Sequence, residues 1–369
     1  MKHYLFIYGE LNGGGAERVM LDVLGNFDYT KNKVDLLQIN AGGVLSEEIP
    51  KEVNLLSAWC GYEMSYRVAL RMSLWFNCQK LLRKRLKNVI GEKHYDVAIS
   101  FLEGMPTKCH ALITEIADRN YSWVHCDLHK FHYTSNLFRK GEELRAYNRM
   151  KAVVAVSNDT AQAFRQRFPA CKTEVKVIYN PIDCKKIVGL ANAEEVCLEK
   201  FTIIVCGRLT PLKRIDRVLR LANRIKKENL NIAIQIIGDG ELKNELVELA
   251  ETLQVNDIVQ FDGYKKNPYP YIKSADMLLS TSIAEGFSLV ICEAMALGVS
   301  IVSTKTSGPN EILENNKFGM LCEHDDESIY EAVLRMYRDN DLRLHYAKIG
   351  KERVKNFSVE NAMKSIYKL

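Results

Sequence analysis

The chain has 369 residues, enough for about two domains, and 47% hydrophobic residues can supply two cores. A charged share of 26%, an aromatic share of 9% and a net charge of +5 are those of an ordinary soluble protein. Ten cysteines contain no C-x-x-C pair, so neither a zinc site nor a disulfide framework is signalled, and reduced thiols in the cytoplasm are expected. No apolar run reaches about 18 residues, and MKHYLFIYGE meets Gly and Glu too soon for a signal peptide, so no membrane span is expected.

In chain order, Tyr4 to Tyr8 reads as a buried strand. Asn12-Gly13-Gly14-Gly15-Ala16-Glu17 follows, then an apolar helix through Val19, Leu21, Val23 and Leu24. Strand, glycine loop and helix together have the geometry of a phosphate cradle. The loop is not a dinucleotide fingerprint, because Arg18 stands where the last glycine belongs, and no Gly-Lys-Ser/Thr makes it a P-loop. A plain turn explains the glycine triplet equally well.

Val34 to Ile39 is a second strand, and Arg67 to Lys93 reads as one long basic helix that includes Trp75 and Phe76. From Glu63 to His94 there are eight Lys or Arg against two Glu, a local excess of +6, which exceeds the net charge of the whole chain, +5. Cations interleaved with aromatic residues suit an anionic membrane surface, and also an amphipathic helix with a solvated face. No nucleic-acid module pattern is present, so nucleic acid is not an expected partner.

Asp96 to Phe101 is a strand, Pro106 to Asp118 a helix, and Tyr121 to Val124 a strand that ends at His125-Cys126-Asp127. Polar residues directly after a strand point at a crevice. Cys126 with His125, His129 and His132 supplies zinc-ligating residue types, but no metalloenzyme spacing matches and no metal is expected. Ala152 to Val156 and Val175 to Ile178 are further strands, the latter leading to Asn180-Pro181-Ile182-Asp183.

Apolar density falls from Asp183 to Lys200, which sets a domain boundary: residues 1–182 and 183–355, then a terminal segment, 356–369. The second half repeats the alternation. Strands are expected at Phe201 to Cys206, Ile232 to Ile237, Ile258 to Phe261, Met277 to Ser280 and Val299 to Ser303, with three helices from Asp326 to Leu369. Alternating strands and helices imply an α/β fold with parallel sheets, which bind ligands beyond the carboxyl ends of the strands.

Three features concentrate there. Arg208 and Lys213 lie in one short loop, where two cations can neutralise a diphosphate without a metal. Gly286 permits close backbone approach, and the N–H groups of Phe287, Ser288 and Leu289 open a helix that can hold an anion. Glu285 and Glu293 are eight residues apart, about two helical turns, and so lie on one side of that helix. Either carboxylate alone reads as a solvated or capping charge; the combination reads as a nucleotide-sugar site. Asp339-Asn340-Asp341 resembles a metal-binding Asp-x-Asp, but it lies between two helices and reads as a cap.

With these residues in view, the chain resembles the family 4 retaining glycosyltransferases of the GT-B fold. The resemblance rests on Gly14-Gly15-Ala16-Glu17, His125, Asn180-Pro181-Ile182-Asp183, Gly207-Arg208 with Lys213, Gly238-Asp239-Gly240, Glu285-Gly286-Phe287 with Glu293-Ala294, and Gly308-Pro309 with Glu311. The stretch from ADMLLSTSIAEGF to SGPNEIL is similar to transferases of bacterial surface-polysaccharide biosynthesis. The resemblance implies two Rossmann-like domains facing across a cleft, an acceptor-binding first domain, a donor-binding second domain, and a last helix crossing back to the first. It further implies that Arg208, Lys213 and the Gly14-Gly15 loop meet the diphosphate of a UDP-sugar, or less expectedly a GDP-sugar. Glu293 would hold the ribose, Glu285 the donor sugar, Tyr264 would line the base, and His125 would lie near the anomeric carbon. The acceptor would be a lipid-linked sugar or glycan at the inner face of the cell membrane, met through a peripheral contact at residues 67–93. No cofactor is implied. Two alternatives share this architecture, a sugar-nucleotide epimerase and a non-catalytic scaffold.

Overall fold

Short apolar runs, many of them ending in a turn that carries Gly, Asn or Asp, become the strands of two wholly parallel sheets. A computed structural model describes all residues, Met1–Leu369. The chain divides into two units, Met1–Pro181 with Val359–Leu369, and Ile182–Ser358.

The first unit has seven strands: β1 (Lys2–Tyr8), β2 (Asn32–Asn40), β3 (Asn54–Trp59), β4 (Tyr95–Ser100), β5 (Ala117–Val124), β6 (Ala152–Ala155) and β7 (Glu174–Val177), in the order β3-β2-β1-β4-β5-β6-β7. The second has six: β8 (Phe201–Cys206), β9 (Ile232–Ile237), β10 (Val259–Gly263), β11 (Met277–Ser280), β12 (Ser300–Thr304) and β13 (Met320–Cys322), in the order β10-β9-β8-β11-β12-β13. Both are doubly wound Rossmann-like sheets. Each reverses its winding at its first strand, so each has a crevice at the carboxyl ends of β1 and β4 or of β8 and β11. Tyr4 to Tyr8 is buried throughout, as a central strand covered on both faces must be. In the second unit Ile203, Val205, Ile234 and Ile236 pack with Val218, Leu219 and Val333.

Several expectations need correction. The single basic helix is two, α2 (Met64–Phe76) and α3 (Lys80–Ile90). Asn77 takes a left-handed conformation, φ 55°, and ends α2, which asparagine tolerates better than most residues. The helix expected from Pro106 to Asp118 stops at Ala111, and the chain re-enters a strand at Ala117. β-Branched Ile113, Thr114 and Ile116 sit in this exit. The strand β3, at the sheet edge, is not legible in the sequence because Asn54 and Ser57 interrupt its apolar run.

The last three helices are Asp326–Arg338, Asn340–Arg353 and Val359–Tyr367. Asp339 caps the middle one by accepting the Leu342 N–H at 2.9 Å, so Asp339-Asn340-Asp341 is a helix cap. The final helix packs in the first unit: Tyr367 lies edge-on to Phe27, centroids 5.3 Å apart, and its hydroxyl accepts the Asp28 N–H at 2.7 Å. No helix is long and apolar enough to cross a membrane.

Two charged or titratable groups buried in the first unit, Lys108 and His110, are paired. Lys108, 1% exposed, lies 3.1 Å from Glu142, which also accepts the Arg139 N–H at 2.8 Å. His110 bonds Ser100 at 3.1 Å and Asn120 at 2.9 Å. Burial holds the His110 imidazole down to about 4.

Candidate active site

In the second unit the turns after β8, β9 and β10 are pressed backbone to backbone. The Gly207 N–H donates to Ile237, that of Leu209 to Asp239, and that of Gly238 to Gly263. A Cβ on Gly238, whose φ is +149°, would stand 1.9 Å from the Gly207 carbonyl oxygen, so only glycine fits. This packing brings Gly207-Arg208 and Gly238-Asp239-Gly240 to one sheet edge.

Lys213 closes the loop after β8. Its stem passes Gly207, with Cε 3.5 Å from where a Cβ on that glycine would sit. Its ammonium donates to the Glu285 carboxylate in an ion pair. Glu285 also accepts the Ser282 hydroxyl at 2.9 Å, and Thr304 holds the Ser282 carbonyl at 2.6 Å. The Glu285 carbonyl accepts the Gly308 N–H at 2.8 Å. A Cβ on Gly308 would stand 2.7 Å from Phe287 Cα, so the Glu285 and Ser307-Gly308-Pro309 turns fit only without a side chain there. Arg208 is exposed on the same loop. The expected pair of neighbouring cations is thus one cation already on a carboxylate and one facing solvent.

The helix beyond Glu285 is Leu289–Leu297, with Ser288 as its N-cap. The opening N–H groups are therefore those of Leu289, Val290 and Ile291. The helix starts two residues later than expected, because Phe287 is drawn into the core against Phe357, centroids 5.3 Å apart. Ser288 is 2% exposed, and its hydroxyl has no hydrogen-bond partner. Glu293 accepts the Tyr269 hydroxyl at 3.1 Å from the second turn of the helix. Burial first, and then the Glu293 charge, push the Cys206 thiol up to about 12, while the Lys213 charge pulls it down. Cys206 is the last residue of β8, so Glu293 and Lys213 both act at that strand end. Tyr264, 63% exposed, stands just past β10.

In the first unit Gly14 caps helix α1 (Gly15–Gly25), directly after the β1 turn. The turn is braced by the stretch after β2: Leu11 donates to Gly42 and accepts from Leu45, and a Cβ on Gly43 would meet the Leu11 oxygen at 2.3 Å. His125 follows β5. Its backbone N–H donates to Glu103 at 2.9 Å, and its ring leans on Phe101, centroids 5.3 Å apart. Burial lowers the imidazole to about 4, against a hydrogen bond to the Phe101 backbone, so the ring is neutral at neutral pH. Its Nε2 is buried without a partner. His132, by contrast, is taken up by Glu143 at 2.6 Å and by Arg167.

The structure thus gathers Lys213, Glu285 and Glu293 at one strand end, with Gly286 and Ser288 between the two glutamates. Sequence reading missed Ser282, Tyr269 and Glu103. Glu103 is 2% exposed, accepts the Tyr133 hydroxyl at 2.9 Å, and is raised in pKa by burial. A carboxylate three residues past β4, in Phe101-Leu102-Glu103-Gly104, was the available signal.

Two family models match nearly end to end: "Glycosyltransferase Family 4" over residues 13–186 and "Glycosyl transferases group 1" over residues 192–353. A Campylobacter jejuni protein is 27% identical over 364 residues, 96% of this chain and 94% of its own. It is the N-acetylgalactosamine-N,N'-diacetylbacillosaminyl-diphospho-undecaprenol 4-alpha-N-acetylgalactosaminyltransferase. Among solved structures, Anabaena HepE in complex with UDP and glucose superposes with a TM-score of 0.78 at 20% identity, covering 100% of this chain and 99% of that one. Staphylococcus aureus TarM in a UDP complex gives a TM-score of 0.78 at 15% identity, covering 100% and 99%. With both sheets, the strand-end site and these likenesses in agreement, the chain belongs to the family 4 glycosyltransferases of the GT-B fold.

Proposed function

We propose that the protein is a retaining, metal-independent transferase that moves a hexose or N-acetylhexosamine from a UDP-sugar to a lipid-linked or glycan acceptor in surface-polysaccharide biosynthesis. One observation carries this reading. The ammonium of Lys213 is paired with the carboxylate of Glu285 at the carboxyl end of β8, where Glu293 also acts. A cation for phosphate thus sits beside an acceptor for sugar hydroxyls. The C. jejuni relative's name describes a lipid-diphosphate acceptor, and HepE was crystallised with UDP and glucose, which supports the donor and acceptor classes.

In this mechanism the bond from the anomeric carbon to the diphosphate oxygen breaks, and its electron pair leaves with the diphosphate. Lys213 and Arg208 offset the charge that develops there, the work a metal ion performs elsewhere. The acceptor hydroxyl attacks the same face, and its proton passes to the departing phosphate oxygen. Glu285 orients the sugar hydroxyls and Glu293 the ribose. Neither has to be a nucleophile.

The test is a thermal-shift screen of UDP- and GDP-linked sugars. A ligand at a hundred times its dissociation constant adds roughly 2.7 kcal/mol, which such a scan resolves. One UDP-sugar should stabilise the protein, and Lys213→Ala should abolish the shift. If no nucleotide stabilises it, the proposal fails. Turnover that persists in EDTA and an NMR assignment of the product anomer test metal independence and retention.

A further inference from the structure

We infer that Phe131 and Tyr133, in the loop after β5, form a stacking platform for the pyranose ring of an acceptor. The loop is built to hold two aromatic side chains outward. The Asp127 carbonyl accepts the Phe131 N–H at 2.9 Å, so the chain turns back soon after leaving the strand. From there the side chains alternate. His132 and Thr134 turn inward and share one carboxylate, Glu143, at 2.6 and 2.7 Å. Phe131 and Tyr133 turn outward, 41% and 42% exposed. Their ring planes are 22° apart and their centroids 6.0 Å apart.

Further contacts fix the pair in place. The Tyr133 hydroxyl reaches inward and donates to one oxygen of Glu103 at 2.9 Å, and the other oxygen accepts the His125 N–H at 2.9 Å. A single carboxylate therefore sets the spacing between the platform and His125. Burial, and then the Glu103 charge, push the Tyr133 phenol far above its ordinary value, so it remains a donor. Gly104 has φ +79°, and a Cβ there would stand 3.2 Å from Thr134 and 3.1 Å from Leu137, so the glycine lets the loop settle against the turn after β4. Glu103 and Glu143 are 2% and 5% exposed. Burying two carboxylates is costly, and a loop that merely joined β5 to β6 would not need them.

The chemistry of the pair selects a sugar ring. A pyranose has a face of C–H groups and an edge of hydroxyls. The face lies flat on an aromatic ring, and the edge needs donors and acceptors at the rim. That rim is present: His129 and Lys130 directly precede Phe131, Ser135 and Asn136 directly follow Thr134, and all four are exposed. A lipid tail would need a continuous apolar trough, which these polar residues interrupt. The inference rests on the transferase reading only in calling this sugar the acceptor.

Saturation-transfer NMR on the full chain tests it, with the methyl glycosides of glucose, galactose, N-acetylglucosamine and N-acetylgalactosamine as probes. At least one should take up saturation on its ring C–H protons. Phe131→Leu keeps an apolar side chain but removes the aromatic face, and should lower the affinity about tenfold; Phe131→Trp should keep it. Tyr133 is left intact because its hydroxyl holds the buried Glu103. Phe131 is exposed, so neither variant should move the melting temperature or the added stability given by a UDP-sugar. Equal binding by Phe131→Leu, no signal from any of the glycosides, or uridine or hexanol bound in their place would overturn the inference. A UDP-sugar that stabilises the protein while no glycoside binds removes this inference alone. Glycoside binding that Phe131→Leu weakens, with no response to any nucleotide-sugar, keeps the platform and removes the transferase reading.

Discussion

Lys213 and Glu285 stand 72 positions apart in the chain and close one ion pair at the end of β8. The loops after β8 and β11 therefore hold these two side chains against each other. Lys213→Met should lower turnover roughly 10²–10³-fold, the usual cost of losing one charge-stabilising donor. The pair is partly solvated, with side chains 27% and 14% exposed, so the melting temperature should move little. Full turnover in a folded Lys213→Met protein would remove Lys213 from the chemistry.

The two glutamates should separate kinetically. If Glu285 orients the reacting sugar, as proposed, Glu285→Gln should depress kcat. Glu293→Gln keeps the Tyr269 hydrogen bond and should raise the donor KM by about tenfold with kcat nearly unchanged. Steady-state kinetics with varied donor decides it; equal effects on both constants in both variants would merge the roles.

Gly238→Ala should be among the most damaging small substitutions. The added carbon would meet the Gly207 oxygen at 1.9 Å, and backbone offers no rotamer by which to escape. We expect a loss of about 3 kcal/mol or more by urea denaturation. Gly189→Ala, with open space around its Cβ, serves as the control.

Lys108→Met should destabilise the protein by about 3–5 kcal/mol, because it strands the buried Glu142 carboxylate. A loss of less than about 1 kcal/mol would mean that the Arg139 and Gln79 hydrogen bonds suffice to hold Glu142.

Acid should weaken the fold before it touches the surface ion pairs. His110 and His125 are neutral in the folded chain down to about 4, against an ordinary value of 6.5. Between those values the unfolded chain binds more protons, so stability falls as pH falls, by about 1.4 kcal/mol per pH unit for each imidazole. Glu103, raised by burial, works the other way as it takes up a proton. Urea midpoints at pH 7 and pH 5 measure the sum. A flat profile would mean that both imidazoles take up a proton in the fold or that Glu103 offsets them.

The sheets were readable because their strands are short apolar runs between turn residues. β8, β9 and β11 match the expected bounds to the residue. β13 was missed because three residues carry no periodicity. The break at Asn77 was missed because α2 and α3 share one basic, apolar composition, and only backbone conformation separates them. In the site, glycine spacing and the eight-residue gap between glutamates were local signals. The Lys213–Glu285 contact, the Ser282 hydroxyl and the Tyr269–Glu293 bond depend on which strands become neighbours. The Glu103–His125 bond links turns after β4 and β5, a pairing that no local pattern contains.

The helix Val359–Tyr367 gives the first unit its last pieces: Tyr367 against Phe27, and the Leu369 carbonyl under the hydroxyl of Tyr121 at 2.7 Å. During synthesis, therefore, the first sheet emerges from the ribosome well before the segment that completes it. Residues 1–181 must wait, with Phe27 and Tyr121 uncovered, while the whole of Ile182–Ser358 is made. The order of translation is not the order of completion, and a nascent chain arrested at Pro181 should be protease-sensitive around β1 and β5, where the finished protein is closed.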